Sequence, residues 1–127
     1  MTLYQSPNAR ITYDATNNVL TQTINGYLNT NSLREFQGEL VKICSQKKIS
    51  KIIADTKNQK VLKKEDMDWM IENVIPSLKS CNIKQFAILM PDNIFGQAAV
   101  ETFAQAAGEL EVKIFSDHST LHTWINA

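Results

Sequence analysis

Four acids gather near the middle of the sequence: Asp55, then Glu65, Asp66 and Asp68. Converging carboxylates can pass protons to a substrate or hold a divalent cation through oxygen. Three of these, however, fall in the first turn of a predicted helix, where acids are favoured simply because they complement its dipole. Helix geometry also sends Asp66 and Asp68 to different faces, and no His or Cys lies nearby in sequence to complete a site. His118 and His122 are four apart, the spacing that lets two imidazoles share a metal. Asp117 could be a third ligand only if it is not capping the helix, and no Glu stands between the histidines as a base. They read as an exposed pair. Thr56 follows Asp55 at a strand end, where a phosphate would meet backbone N–H groups at a helix N-terminus; the plainer reading is a hydroxyl that satisfies a turn. Trp69 lies off the main apolar stripe of its helix, beside Asn73. It can cover a sheet edge, line an apolar pocket or anchor a partner, or simply pack on the loop at Val61 and Leu62. The four glycines are scattered, so there is no phosphate-cradling loop, and neither a Ser-His-Asp nor a Cys-His order is recognisable. The residues predict no catalytic group, no metal and no cofactor.

The elements that must position these residues follow from periodicity. Ile49–Asp55 is an almost unbroken apolar run, the pattern of a parallel strand covered on both faces. Met67, Met70, Ile71, Val74, Ile75 and Leu78 then recur at spacings of three and four, which is one face of a helix over Glu65–Leu78. Pro76 should kink or end it. Upstream, Arg10–Asp14 and Val19–Asn25 read as an antiparallel hairpin around a turn-forming cluster. Ser32-x-x-Glu35 matches a capping box and opens a helix to about Gln46 that buries Leu33, Phe36, Leu40, Ile43 and Cys44. Downstream, Asn82 stops the second helix and Phe86–Met90 is a second fully apolar strand. Asp92 or Asn93 caps a third helix with a buried face of Phe95, Ala98, Ala99, Thr102, Phe103 and Ala106, and Gly108 is placed to stop it. Val112–Phe115 is a last strand, and Asp117 caps a final helix carrying Leu121, Trp124 and Ile125. The order β-β-α-β-α-β-α-β-α predicts an α/β fold. Its single sheet is mostly parallel with an antiparallel N-terminal edge strand, and its helices lie mainly on one face.

Composition bounds the function. A chain of 127 residues, 43% hydrophobic and 20% charged, is ordinary for one soluble globular domain over 1–127. No run approaches the ~20 apolar residues of a membrane span, and no signal-peptide pattern opens the sequence. Cys44 and Cys81 are too few for a disulfide framework and predict buried thiols in the cytoplasm. Net charge is zero, yet Lys42–Lys64 holds eight lysines against one acid, and Asp92–Asp117 five acids against one lysine. The lysines carry no interleaved arginines or aromatics, so the run reads as a solvated surface and not as a nucleic-acid site.

The chain resembles the STAS-like superfamily, which holds the anti-sigma-factor antagonists and a group of uncharacterised bacterial relatives loosely grouped with CRAL-TRIO lipid carriers. The resemblance covers Arg10 to Ile125. It is carried by the element order, by Ile52-Ile53-Ala54-Asp55-Thr56 at a strand end, by Glu65-Asp66-x-x-Trp69 opening the next helix, and by Phe115 with Trp124-Ile125 at the close. Antagonist-type members place a phosphorylatable Ser or Thr directly after an Asp at this strand end, so the resemblance implies phosphorylation at Thr56. Lys57 stands where that pattern has a small residue, and about eight residues precede the helix, which brings the chain nearer the uncharacterised relatives. What the resemblance implies is a non-enzymatic regulatory or protein-interaction module. It would bind a protein partner or a second copy through Asp55, Thr56, Lys57 and Trp69. The alternative is a carrier of a small apolar or anionic ligand in a pocket between Trp69, Phe95 and the sheet.

Overall fold

The computed structural model describes residues 1–60 and 62–127. Among them, six strands form one mixed sheet in chain order: β1 (Thr2–Ser6), β2 (Ala9–Asp14), β3 (Val19–Ile24), β4 (Lys51–Asp55), β5 (Gln85–Leu89) and β6 (Glu111–Phe115). The β1–β2 and β2–β3 pairs are antiparallel, and the three pairs from β3 to β6 are parallel. Helices α1 (Thr30–Gln46), α2 (Lys64–Ser80) and α3 (Ile94–Ala106) make the crossovers, and α4 (His118–Ile125) follows β6.

The α/β class, the mostly parallel sheet and the helices mainly on one face agree with the sequence, with one correction. The antiparallel edge is β1, a strand the periodicity misses, so the predicted edge at Arg10–Asp14 lies one place inside it. A register shift between Thr2 and Tyr4 breaks the alternation that would have announced β1. Tyr4 still packs on Phe36 of α1, with ring centroids 5.9 Å apart. Three of the four helices share one face, as expected, and α4 alone covers the other. Strand alternation sends Leu20, Ile52, Phe86 and Ile88 under α1, α2 and α3, while Val19, Ile53, Ala87 and Leu89 meet Leu121 and Ile125 of α4. Burial on both faces is why β4 and β5 read as continuous apolar runs.

Local chemistry sets the helix ends. Asn29, and not Ser32, caps α1: its side-chain oxygen accepts from the Ser32 N–H at 2.8 Å. Asn93 and Asp117 cap α3 and α4 as expected, accepting from Gly96 N–H at 2.6 Å and Thr120 N–H at 2.8 Å. Asn82 (φ 64°) and Gly108 (φ 63°) take the left-handed conformation that closes α2 and α3. Pro76 does not end α2, which runs through it to Ser80. The carbonyl that loses its donor belongs to exposed Glu72, where water can replace the missing bond. The buried stripe of α3 is also rotated by one position: Gly96, Val100 and Phe103 face the core, while Phe95 is 75% exposed. An alanine-rich helix carries too little contrast for periodicity to fix its rotation.

Candidate functional site

A pocket lies beneath the three helices because small side chains meet there. On the sheet, Gln22, Ala54 and Ile88 stand side by side in register. The Ala54 methyl leaves a gap between its larger neighbours, and opposite it α3 contributes Gly96 and Ala99. Met67, Met70 and Val74 of α2 close one wall, and Val100 and Phe103 of α3 another. The cavity has a volume of about 60 Å³. Of the lining residues in the connection after β4, Gln59, Lys60 and Leu62 reach solvent, which opens the pocket past the carboxyl end of β4, the edge at which open α/β sheets take ligands.

The rim is built by hydrogen bonds. After β4 the chain is held to the end of β3 by Lys60 N–H to the Gly26 carbonyl and by Gly26 N–H to the Asn58 carbonyl, each 2.8 Å. Gly26 itself sits at φ 86°, a conformation suited to glycine. The same loop is tied to the start of α3 by Asn93 Nδ2 donating to the Gln59 carbonyl at 3.1 Å. Gly96 lets α3 approach this corner: a β-carbon there would lie 2.8 Å from Pro91 Cβ and 3.1 Å from Asn93 Oδ1. Inside, Gln37 Nε2 donates to Gln22 Oε1 at 3.4 Å, and both amides are buried.

The residues singled out from the sequence do not share one surface. Thr56 lines the pocket, but it is only 7% exposed and its hydroxyl donates to the Leu89 carbonyl at 2.7 Å. An accessible Thr56 ready for phosphorylation is therefore not what this conformation offers; the hydroxyl ties β4 to β5. Asp55 points to the opposite face of the sheet, its Oδ2 3.9 Å from His118 Nε2. Lys57 is exposed. Trp69 is half-buried on α2 beneath the Arg34 guanidinium, 5.1 Å from the ring centroid. Neither Trp69 nor Phe95 lines the pocket; of the loop read as Trp69's packing surface, Val61 lies outside the described residues. The acids are dispersed too: Asp66 is 2% exposed and accepts from Thr30 Oγ1 at 2.9 Å, while Asp68 pairs with Lys64 at 2.8 Å. His118 and His122 stack at 6.0 Å. Among the described residues no group of three or more His, Cys, Asp or Glu could hold a metal, and no helix is long and apolar enough to cross a membrane. Cys44 is buried, which with the neighbouring Cys81 pushes its thiol up to about 12.

Sequence reasoning missed Gln22 and Gln37. Each is a polar residue at a core position of its element's pattern, and that misfit was the available signal. No protein-family model and no curated protein matches the sequence. Among solved structures, the chain is similar to an uncharacterised protein of the DUF3478 family from Shewanella loihica PV-4, described as having a SpoIIAA-like fold. The TM-score is 0.64 at 15% identity, covering 97% of this chain and 98% of the other. Strand order and coverage together give the conclusion: this chain has the SpoIIAA-like, STAS-like fold.

Proposed function

We propose that the chain is a non-enzymatic STAS-like regulatory module that responds to a small, largely apolar molecule held over Ala54. The observation that carries this reading is the preformed pocket at the strand ends, apolar in its walls and polar at few points. Native mass spectrometry of the purified protein tests it. The expected result is an added mass that denaturing spectra release and that Ala54→Ile eliminates. A spectrum of bare protein, together with no amide NMR shifts at pocket residues on adding small apolar molecules, overturns it.

A second reading is contact with a protein partner or another copy of the chain. It is favoured by Ile94 and Phe95, which stand 74% and 75% exposed in the first turn of α3 beside the pocket rim. Asp55 and Lys57, joined by the Lys57 N–H donating to Asp55 Oδ1 at 3.3 Å, and Trp69 on α2 are further candidates. Under this reading size-exclusion chromatography shows a dimer or complex that Phe95→Ser or Trp69→Ala dissociates. An unaltered monomer removes the self-association form of it.

A further inference from the structure

The pocket has a polar end, and its chemistry narrows the ligand. Gln22 of β3 and Gln37 of α1 are 5% and 4% exposed, although glutamine is a residue that usually faces water. Their mutual bond, 3.4 Å long, exceeds the usual ~2.7–3.2 Å for N–H to oxygen. It engages Gln37 Nε2 and Gln22 Oε1 only. Among the described residues Gln22 Nε2 and Gln37 Oε1 have no other side-chain hydrogen bond, yet no fully buried side-chain nitrogen or oxygen lacks a partner. These two atoms therefore keep some accessible surface, and both residues line the cavity. The pair thus leaves one donor and one acceptor for a ligand. Exchanging nitrogen and oxygen in both amides leaves one of each, so the conclusion does not depend on how the amides are oriented.

Resting on the ligand-binding reading above, we infer that the pocket takes a small molecule with an apolar body and one uncharged carboxamide-like head, inserted toward Gln22 and Gln37. A carboxamide returns an acceptor to the free N–H and a donor to the free oxygen. A carboxylate can only accept, so it sets an anion against the Gln37 oxygen. Lys60, the cation among the lining residues, is exposed at the mouth and not at this inner end. Burying a charge without a partner is far more costly than burying an amide that is hydrogen-bonded. A hydrocarbon fills the apolar walls but leaves both amide atoms unmatched.

Three probes of similar shape separate these cases: benzamide, benzoate and toluene, titrated into the wild-type protein and followed by two-dimensional amide NMR. Benzamide is expected to bind at least about tenfold more tightly than either of the others, the worth of one or two net hydrogen bonds. Gln37→Met and Gln22→Met should each remove that preference while leaving toluene affinity within about twofold. Toluene or benzoate binding as tightly as benzamide overturns the head-group assignment and leaves the pocket standing. If none of the three binds and no added mass is seen in the native spectrum, both readings fall. The wild-type series alone decides between these outcomes even where a Met variant folds poorly.

Discussion

Ala54→Ile asks whether the space above β4 is real before any ligand is known. The substitution adds three carbons between Gln22 and Ile88, beneath Met70 and Val100. If the gap is open, burying three methyl or methylene groups at ~0.8 kcal/mol each stabilises by at most ~2.4 kcal/mol. A β-branched residue in a central strand adds a small further gain. If the gap is closed, the same carbons overpack the core and destabilise by ~1–3 kcal/mol. The two cases differ in sign, so the measurement need not be fine. Urea denaturation reads it, with the slope as control: an unchanged m-value assigns a midpoint shift to stability. We expect a rise equivalent to ~0–2 kcal/mol, which for a chain of this size corresponds to a melting point higher by several degrees, at roughly 3–5 °C per kcal/mol. A midpoint lower by more than ~1 kcal/mol with the same slope would show that no room exists over Ala54, and the pocket argument would end there.

Gly96→Ala places a methyl against the rigid ring of Pro91, and equilibrium unfolding should show a loss of ~1–3 kcal/mol despite alanine's better helix propensity. Thr56→Val removes the hydroxyl donated to the Leu89 carbonyl and should lower stability by ~1–2 kcal/mol; the folded wild-type protein, incubated with a broad-specificity kinase and ATP, should take up no phosphate at Thr56 by mass spectrometry. Of the two thiols, half-buried Cys81 should react quickly with a disulfide reagent near pH 8 while buried Cys44 reacts only on unfolding. Because burial and Cys81 hold the folded Cys44 pKa at about 12, against 9.0 for an ordinary thiol, the unfolded chain releases its proton first and stability should decline as pH rises from 9 toward 12. At the acid end, the Thr120 backbone N–H holds the Asp117 carboxyl below its ordinary 3.8, and the Asn17 side chain does the same for Asp14. Their contribution is present above that value and is lost as pH falls through the depressed one, so Asp117→Asn, which keeps a capping oxygen, should flatten the acid limb of the stability curve.

How far the fold was legible depended on contrast between neighbouring residues. Ile52, Ile53 and Ala54 announced a strand buried on both faces, and the stripe from Met67 to Leu78 announced α2, because each pattern has one period and little ambiguity. β1 offered two adjacent apolar residues at a bulge, which no period describes. The α3 stripe failed for another reason: with Ala98, Ala99, Ala104 and Ala106 as weak markers, the spacing from Phe95 to Phe103 fits a face one position away from the buried one, and the close approach at Gly96 decides between them. The candidate site was legible only as a region. The strand end and following loop do form its rim. Which side chains turn inward, though, is set by register across β3, β4 and β5, and register is a relation between segments that a linear pattern does not contain. Gln22 and Gln37 are fifteen residues apart in sequence and meet only because α1 crosses over β3.

The strands of this sheet lie in single file, each beside the one made just before it. Every rung of the ladder is consequently separated from its partner by no more than one intervening helix, and no segment must wait for a distant one to arrive. Such an arrangement keeps contact order low for a largely parallel sheet, which favours quick assembly. It also lets the ladder lengthen by accretion as the polypeptide emerges from the ribosome, with the growing edge always the most recently synthesised one.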